Sequence, residues 1–411
     1  MTLVLTMMVR DEADIIAATI EHHLAQGVDH IVVTENGSVD GTLEILRAYA
    51  EVAPLTLLQD AEHRKQQGEV VTRMARLAHD ELGADWVING DADEFVRAMD
   101  PSRTVGEVLA AMPTSIGAFP APVVNLVGPM AERGSGIRRL VHRDERSEDA
   151  LRAAGLIAHP TPNAIHVGRS DVTVAQGNHF TSIEQVGEVP VGLELEVLHL
   201  PWRSIAQLRR KTENMGRGYE ASPDLRPSPR HHGMRDWRRM QGGVLDAFLA
   251  LRTPTAAELA AGGFREDRSL REQLEALEAS ALLPSRLRAC LDDRDDAVLP
   301  DERVEELRAI AVTITKAEEP LYEELTGLRM HSDALDELRW RLVEERDDAR
   351  QRLASAEAAR SAAQAEREAL GLELARAQEA YGAVRARLDA IEGHPVIRAV
   401  RSVRGGLRRG R

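Results

Sequence analysis

Two carboxylates spaced one residue apart directly follow a short apolar segment. Asp91 and Asp93 come after Trp86-Val87-Ile88, a run that predicts a buried strand. Open α/β sheets bind their ligands at the carboxyl ends of strands. Two such carboxylates can hold one hard divalent cation, which can also take diphosphate oxygens. Because the chain has 67 acidic residues, a solvated acidic turn could have the same spacing. The neighbouring segments must distinguish a cation site from such a turn.

Strands alternating with helices would position these carboxylates. The predicted strands are residues 3–5, 29–34, 55–58 and 84–88, and the predicted helices begin near residues 11, 42 and 68. Residues 11–14 place acidic side chains in the first turn of the first helix, where the helix dipole favours them. Ser38 or Asp40 would cap the second helix. This alternation predicts a parallel, doubly wound sheet.

The motifs in these segments form a recognisable series. V-R-D-E-A-D-I-I at 9–16, V-T-E-N-G-S-V-D-G-T at 33–42 and W-V-I-N-G-D-A-D-E-F at 86–95 resemble the family-2 type glycosyltransferases of the GT-A fold. The likeness is greatest to the bacterial branch whose metal motif reads D-x-D-E-F. Residues 197–204, which continue to Gln207, Arg210 and Lys211, are similar to the late histidine segment of that family. The resemblance covers residues 1–220 and implies a GT-A-like, mostly parallel α/β sheet.

The resemblance also implies a reaction. A sugar would pass, with inversion, from a nucleotide-diphosphate donor to a glycan or lipid-linked acceptor, as in surface polysaccharide synthesis. Mn or Mg would stabilise the diphosphate leaving group as a Lewis acid. The implied metal ligands are Asp91, Asp93 and His199, although a histidine between Leu198 and Leu200 could equally be a packed strand residue. The residues expected to bind the nucleotide sugar are Arg10, Glu12, Glu35, Asn36, Asp91, Arg203 and Lys211. The second motif departs from the family, since its usual acidic pair is Glu35-Asn36 here.

Inversion requires a general base near the acceptor hydroxyl. The candidates are Asp144, Glu145, Asp171 and His179, and we expect Asp93, His179 and Asp144 to be the catalytic residues. A turn in which Gly177 and Asn178 take positive φ would explain the segment before His179 equally well.

Two other functions share some of these features. Gly90-Asp91 and Gly177-Asn178-His179 also resemble motifs of metallophosphoesterases, but the early D-x-H and late G-H-x-H of that class are absent from the sequence. The other alternative is a non-catalytic scaffold, in which a decayed transferase domain caps an oligomerising coil. Metal-dependent turnover of a donor would separate an enzyme from a scaffold.

The composition favours a cytoplasmic enzyme. The single cysteine, Cys290, excludes an internal disulfide and a cysteine-rich zinc site. No apolar run reaches the roughly 18 residues of a membrane-spanning helix. The net charge of −15 and the scarcity of aromatic residues argue against nucleic acid as a partner.

Three further regions follow the predicted catalytic domain. Residues 221–330 predict a basic loop, at 223–243, and a helical linker. Residues 331–392 predict a coiled coil with a heptad seam that includes Leu335, Leu342, Leu370, Val384 and Ile391, although i,i+4 ion pairs could also sustain a single helix. Residues 393–411 form a basic amphipathic tail that suits an anionic membrane surface, and a solvated tail is the alternative. We therefore expect a homo-oligomer, peripheral at the inner face of the membrane.

Overall fold

The structure is a computed structural model. It describes residues 1–396 apart from 65, 154–155, 157, 223 and 293–295, and it also describes residue 399. The chain divides into two units, Met1–Thr326 and Gly327–Arg411. Most of the predicted basic tail therefore lies outside the described residues.

Strands and helices alternate through the first half of the first unit. The strands are β1 Leu3–Val9, β2 His30–Glu35, β3 Leu55–Gln59, β4 Trp86–Asn89, β5 Glu94–Ala98, β6 Ala118–Ala121, β7 Val123–Val127, β8 His142–Asp144, β9 Asn163–Val167, β10 Leu195–His199 and β11 Phe264–Glu266. The helices are α1 Ile16–Ala25, α2 Thr42–Val52, α3 Gln67–Asp80, α4 Val105–Ala111, α5 Glu148–Ala153, α6 Ile205–Glu220, α7 His232–Gln241, α8 Leu245–Arg252, α9 Ala256–Ala261, α10 Ser269–Leu277, α11 Pro284–Leu291 and α12 Asp301–Glu392, with a short 3₁₀ helix at Thr114–Ile116.

A six-stranded sheet with the order β3-β2-β1-β4-β9-β6 forms the centre of the first unit. Strands β1 to β4 run parallel, and β9 and β6 add antiparallel pairs at one edge. Successive side chains of β1 pack on opposite faces of this sheet. Leu3 and Leu5 join a core that includes Ile20 of α1, whereas Val4 joins a core that includes Met74 of α3. Helices cover both faces, so the predicted doubly wound, mostly parallel α/β fold is confirmed.

The loop after β1 differs from the prediction. Helix α1 begins at Ile16, so the acidic residues 11–14 lie in the loop and not in the first turn of the helix. Asp11 has a φ of 56°, a left-handed conformation that ends the strand. Asp40 accepts a hydrogen bond from the Thr42 backbone N–H at 3.0 Å, whereas Ser38 accepts one from the Asp11 backbone N–H at 3.0 Å. Thus Asp40 serves the start of α2, and Ser38 joins the first two strand-end loops.

A second sheet has the order β11-β8-β7-β10-β5. Strand β10 pairs in parallel with β7 and antiparallel with β5. In this register His199, at the end of β10, lies opposite Asn125 on one side and Glu94 on the other. The second sheet therefore brings the late histidine to the acidic motif.

The predicted basic loop at 223–243 is wrong in its second half, which forms helix α7. His231 caps this helix by accepting a hydrogen bond from the Met234 backbone N–H. Arg235, Asp236 and Arg239 of α7 are buried as ion pairs. Asp236 pairs with Arg239 and with Arg252 of α8, and Glu318 pairs with Arg235 and Arg239. Arginines that pair in the interior look the same in the sequence as arginines in a solvated loop.

The second unit contains the part of α12 that follows Gly327. Its heptad positions include Leu335, Leu342, Leu370 and Ile391, which are exposed in the single chain. Among the residues that the structure describes, no helix is both long and apolar enough to span a membrane.

Candidate active site

Two clefts meet at the loop that follows β4. The small cleft has a volume of about 190 Å³ and is lined by residues that include Arg10, Glu12, Asn36, Gln67, Asp91, Asp93, Lys211 and Asn214. The large cleft has a volume of about 690 Å³, and its lining includes Asp91, Glu94, Asn125, His179, His199, Lys211 and basic residues of α7 and the segment before it. Asp91 and Lys211 line both clefts, so the D-x-D loop lies at their junction.

The strand-end loops that line the small cleft are tied to one another. Arg10 donates a hydrogen bond to the Asn36 carbonyl, and the Asn36 side chain donates to the Asp60 and Glu62 carbonyls at 2.6 and 2.9 Å. Glu35 is buried and lines neither cleft, because its carboxylate accepts from the Ser38 backbone N–H. The structure therefore brings Arg10, Glu12 and Asn36 to the cleft, whereas Glu35 holds the turn beside it.

Arg203 holds three carboxylates together from a fully buried position. Its guanidinium lies 3.0 Å from Asp14 and 3.3 Å from Asp93, and it also donates to Glu12. The side chain has no exposed area and lines neither cleft. The sequence led us to expect that Arg203 binds the nucleotide sugar, whereas in the structure it fixes the positions of the acidic residues.

Lys211 completes this charged cluster. Its Nζ lies 2.7 Å from Asp93 Oδ2. Burial alone would raise the pKa of Asp93, but Lys211, His199 and Arg203 together hold that pKa well below its usual range. Burial raises the pKa of Glu12 to about 7, against the opposing effect of Arg203. Asp93 is therefore an anion at neutral pH, whereas Glu12 titrates near neutrality.

Asp91 is oriented from several sides. Its Oδ1 accepts hydrogen bonds from the Gln67 and Asn178 side-chain amides at 2.9 and 3.2 Å, and its backbone N–H donates to Glu94 Oε2 at 3.0 Å. Asn178 and Gly177 both have positive φ, which is the turn considered above as the alternative for this segment. The turn at Gly177 and Asn178 therefore exists, and the same turn brings the Asn178 side chain into contact with Asp91.

His199 and Asp93 supply donors suited to a divalent cation. His199 Nδ1 lies 3.0 Å from Asn125 Oδ1, and this contact orients the imidazole with Nε2 towards Asp93. Nε2 lies 3.6 Å from Asp93 Oδ1. In the described part of the chain no group of three or more His, Cys, Asp or Glu side chains is arranged to hold a metal. The pair nevertheless fits Mg or Mn, because such ions are commonly bound by one or two carboxylates, substrate phosphates and water.

Among the candidate bases, His179 lies in the large cleft. Its Nδ1 is 3.1 Å from Asn163 Oδ1, and burial lowers the pKa of the imidazole. Asp144 is buried in β8 and paired with Arg146 at 2.6 Å, away from both cleft linings. Glu145 and Asp171 form ion pairs with Arg265 and Arg169 at 3.0 and 2.7 Å and line neither cleft. The structure thus brings His179 to the acidic motif and leaves the other three elsewhere.

Sequence reasoning missed several residues of the site. Glu94 is buried beside Asp91 and accepts a hydrogen bond from the Asn163 side chain at 2.7 Å. Its position directly after the D-x-D motif was the available signal. Asn125 and Asn163 gave no such signal, because only the pairing of β7 and β9 with distant strands brings them here.

The parallel sheet, the D-x-D loop and the cluster at Asp93 define an α/β protein with a charged cleft at the carboxyl ends of its parallel strands. Residues 5–120 match the model of the family described as Glycosyl transferase family 2. That segment carries β1 to β4 and the D-x-D loop, and the protein is a glycosyltransferase.

Other comparisons give more distant likenesses. No curated protein matches the chain. Among solved structures, S. aureus TarS 1-349 is similar with 10% identity over 72% of this chain and 91% of that chain, at a TM-score of 0.31. Its complex with UDP-GlcNAc gives 11% identity, the same coverages and a TM-score of 0.33. Glucosyl-3-phosphoglycerate synthase from Mycobacterium tuberculosis, with Mn²⁺, UDP and glucosyl-3-phosphoglycerate, gives 20% identity over 40% of this chain and 56% of that chain, at a TM-score of 0.23.

Proposed function

We propose that the protein transfers a sugar, with inversion, from a nucleoside diphosphate donor in the small cleft to a glycan or lipid-linked acceptor in the large cleft. The observation that carries this proposal is the junction at Asp91 and Lys211, which line both clefts. A donor whose reacting carbon lies at that junction would face an acceptor hydroxyl from the other side. Surface polysaccharide synthesis is the process that we assign to this reaction.

The nucleoside half of the donor would lie against Arg10, Asn36 and the loop after β1. The diphosphate would lie near Lys211, whose charge can stabilise the leaving group. Glu12 would act by positioning Lys211 and Arg203, since it shares their charged cluster. Glu35 and Arg203 would not contact the donor, because neither lines a cleft.

We propose that a Mn or Mg ion is held by Asp93 and His199, with Asp91 close by. When bound, such an ion supplies a Lewis acid for the diphosphate leaving group. Asp93 is suited to this role because its pKa keeps it ionised and its two oxygens face different partners.

His179 is our choice for the general base. Asn163 Oδ1 accepts from Nδ1, which leaves Nε2 as the basic nitrogen. The lowered pKa keeps the ring neutral near pH 7, so it can accept a proton from the acceptor hydroxyl.

The test is the release of nucleoside diphosphate from a panel of nucleotide sugars, with and without Mn. Metal-dependent release from at least one sugar nucleotide is the expected result. The absence of release from every nucleotide sugar, together with an intact oligomer, would favour the scaffold alternative.

We further propose that residues 331–392 form a homo-oligomeric coiled coil. The exposed leucines on the heptad seam support this, because burial of each apolar side chain between helices contributes on the order of 1.5–3 kcal/mol. From the sequence alone, we also propose that the tail at 393–411 attaches the cytoplasmic enzyme to an anionic membrane surface.

A further inference from the structure

We propose that the large cleft binds a phosphate group carried by the sugar acceptor, at the arginines and histidines of α7 and of the segment before it. This inference rests on the proposed transfer function and names the chemical class of its acceptor.

The lining of the large cleft is rich in cations. Its lysine and arginine residues are Lys211, Arg230, Arg235, Arg239 and Arg252, whereas its acidic residues are Asp91, Glu94 and Asp236. Five cationic and three acidic side chains therefore line this wall. Glu318 and Glu319, which lie outside the lining, pair with Arg239 and Arg230.

The buried arginines form a rigid platform. The guanidinium of Arg239 lies 3.3 Å from the centre of the Phe248 ring, and that of Arg235 lies 4.5 Å from the centre of the Tyr322 ring. Arg252 makes two hydrogen bonds to Asp236, at 2.7 and 2.8 Å. Because these contacts fix the side chains, little conformational entropy remains to be lost when an anion binds.

The platform holds hydrogen-bond donors that the described residues do not satisfy. The Nε atoms of Arg235, Arg239 and Arg252 are buried without a hydrogen-bond partner in the described part of the chain. Each of these side chains is at least nine-tenths buried. A buried donor without a partner costs about 1–3 kcal/mol, so this wall is short of acceptor oxygens within the described part of the chain.

The start of α7 adds to this site. His231 caps the helix, and its ring stacks on that of His232 with centroids 5.0 Å apart. Both line the large cleft with Gly233, so the positive end of the helix dipole is at the cleft wall. Arg230 pairs with Glu319, but both side chains are about one-third exposed or more, and such a surface pair contributes little. A ligand phosphate can therefore replace Glu319.

The number and spread of these donors favour phosphate over a neutral sugar or a carboxylate. A phosphate offers three or more strongly accepting oxygens, whereas a carboxylate offers two. Because Asp91 and His179 line the same cleft, an acceptor anchored by its phosphate at α7 can present a hydroxyl to them.

The experiment is calorimetric titration of the full-length protein with glycerol 1-phosphate, inorganic phosphate and glycerol. We compare Arg230→Gln with Arg226→Gln, a matched control that removes the same charge from an exposed residue of the same segment outside both clefts. Arg230→Gln should weaken glycerol 1-phosphate and phosphate binding about fivefold to tenfold, and Arg226→Gln should leave it unchanged. Glycerol should not bind measurably.

Equal affinities in the two variants would overturn the proposal, and so would glycerol binding as tight as that of its phosphate. A third variant, Arg10→Gln, changes the small cleft alone. Phosphate binding that is lost in Arg10→Gln but kept in Arg230→Gln would place the phosphate in the small cleft and refute the inference. UDP titrations of the same variants test the donor site separately, so a failure of the transfer proposal is distinguishable from a failure of this one.

Discussion

Replacement of Asp93 by asparagine tests the centre of the proposed site. The Asp93 side chain is 1% exposed, and its Oδ2 lies 2.7 Å from Lys211 Nζ and 3.3 Å from Arg203 Nη1. Asparagine keeps the shape of the side chain and one oxygen, but it removes the negative charge. The variant therefore leaves the buried Arg203 with Glu12 and Asp14 as its remaining anionic partners, and it removes the carboxylate that pairs with the partly exposed Lys211.

The size of the effect follows from this geometry. Breaking a buried ion pair by removal of one partner costs about 3–5 kcal/mol. Glu12 and Asp14 offset part of that cost, so we expect a loss of about 2–3 kcal/mol in the free energy of unfolding. Turnover should fall by about 10³-fold or more, since a charged group beside the leaving diphosphate supplies several kcal/mol and each 1.36 kcal/mol is about tenfold.

The assay is metal-dependent release of nucleoside diphosphate, measured beside the thermal unfolding of each protein. Asp14→Asn is the matched control, because Asp14 also pairs with Arg203 but lines neither cleft. It should lose comparable stability and keep turnover within about tenfold. Near-normal turnover of Asp93→Asn, or equal loss in the two variants, would refute the reasoning.

Other parts of the site and of the assembly give further tests. Burial raises the pKa of Glu12 from 4.5 to about 7. Between these two pH values the unfolded chain has released a proton that the folded chain keeps. The free energy of unfolding therefore falls by up to about 3 kcal/mol as the pH rises from 4.5 to about 7. Glu12→Gln should remove this pH dependence of the free energy of unfolding, measured by denaturant titration of the metal-free protein. If the free energy falls with pH equally in the variant and in the unsubstituted protein, the assignment to Glu12 is wrong. His179→Gln should lower kcat by about 10²-fold with little change in the donor KM, and an unchanged kcat would reject it as the base. Arg10→Gln should raise the donor KM more than it lowers kcat, and steady-state kinetics with an unaltered KM would place the nucleoside elsewhere. Truncation after Leu328 should give a monomer by light scattering that retains donor turnover, and a truncated protein that remains oligomeric would reject the coil as the assembly device.

The arrangement of the small cleft was predictable because it follows from strand direction. Parallel strands β1, β2 and β4 have their carboxyl ends at one edge, so the residues that follow them must converge. Arg10, Asn36 and Asp91 are such residues, and all three line the small cleft. The heptad spacing likewise predicted a helix through residues 331–392.

The roles of individual charges were not predictable in the same way. Arg203 follows His199 closely in the sequence, but its partners Glu12 and Asp14 lie 191 and 189 residues away. Asp144 was as plausible a base as His179 until its pairing with Arg146, two residues away, placed it outside both clefts. Residue type and spacing limit what a charge can do, whereas its partners depend on long-range packing.

The two oxygens of Asp93 have separate tasks. Oδ2 faces Lys211 and Arg203, which neutralise the carboxylate and fix its plane. Oδ1 faces His199 Nε2 across 3.6 Å, and Asn125 orients that imidazole through a contact with Nδ1. Because the supporting contacts come from buried side chains, the pair is oriented before any ligand binds. The cost of burying the carboxylate of Asp93 with the guanidinium of Arg203 therefore has a functional consequence. One oxygen of Asp93 and one nitrogen of His199 remain directed at each other at the junction of the two clefts.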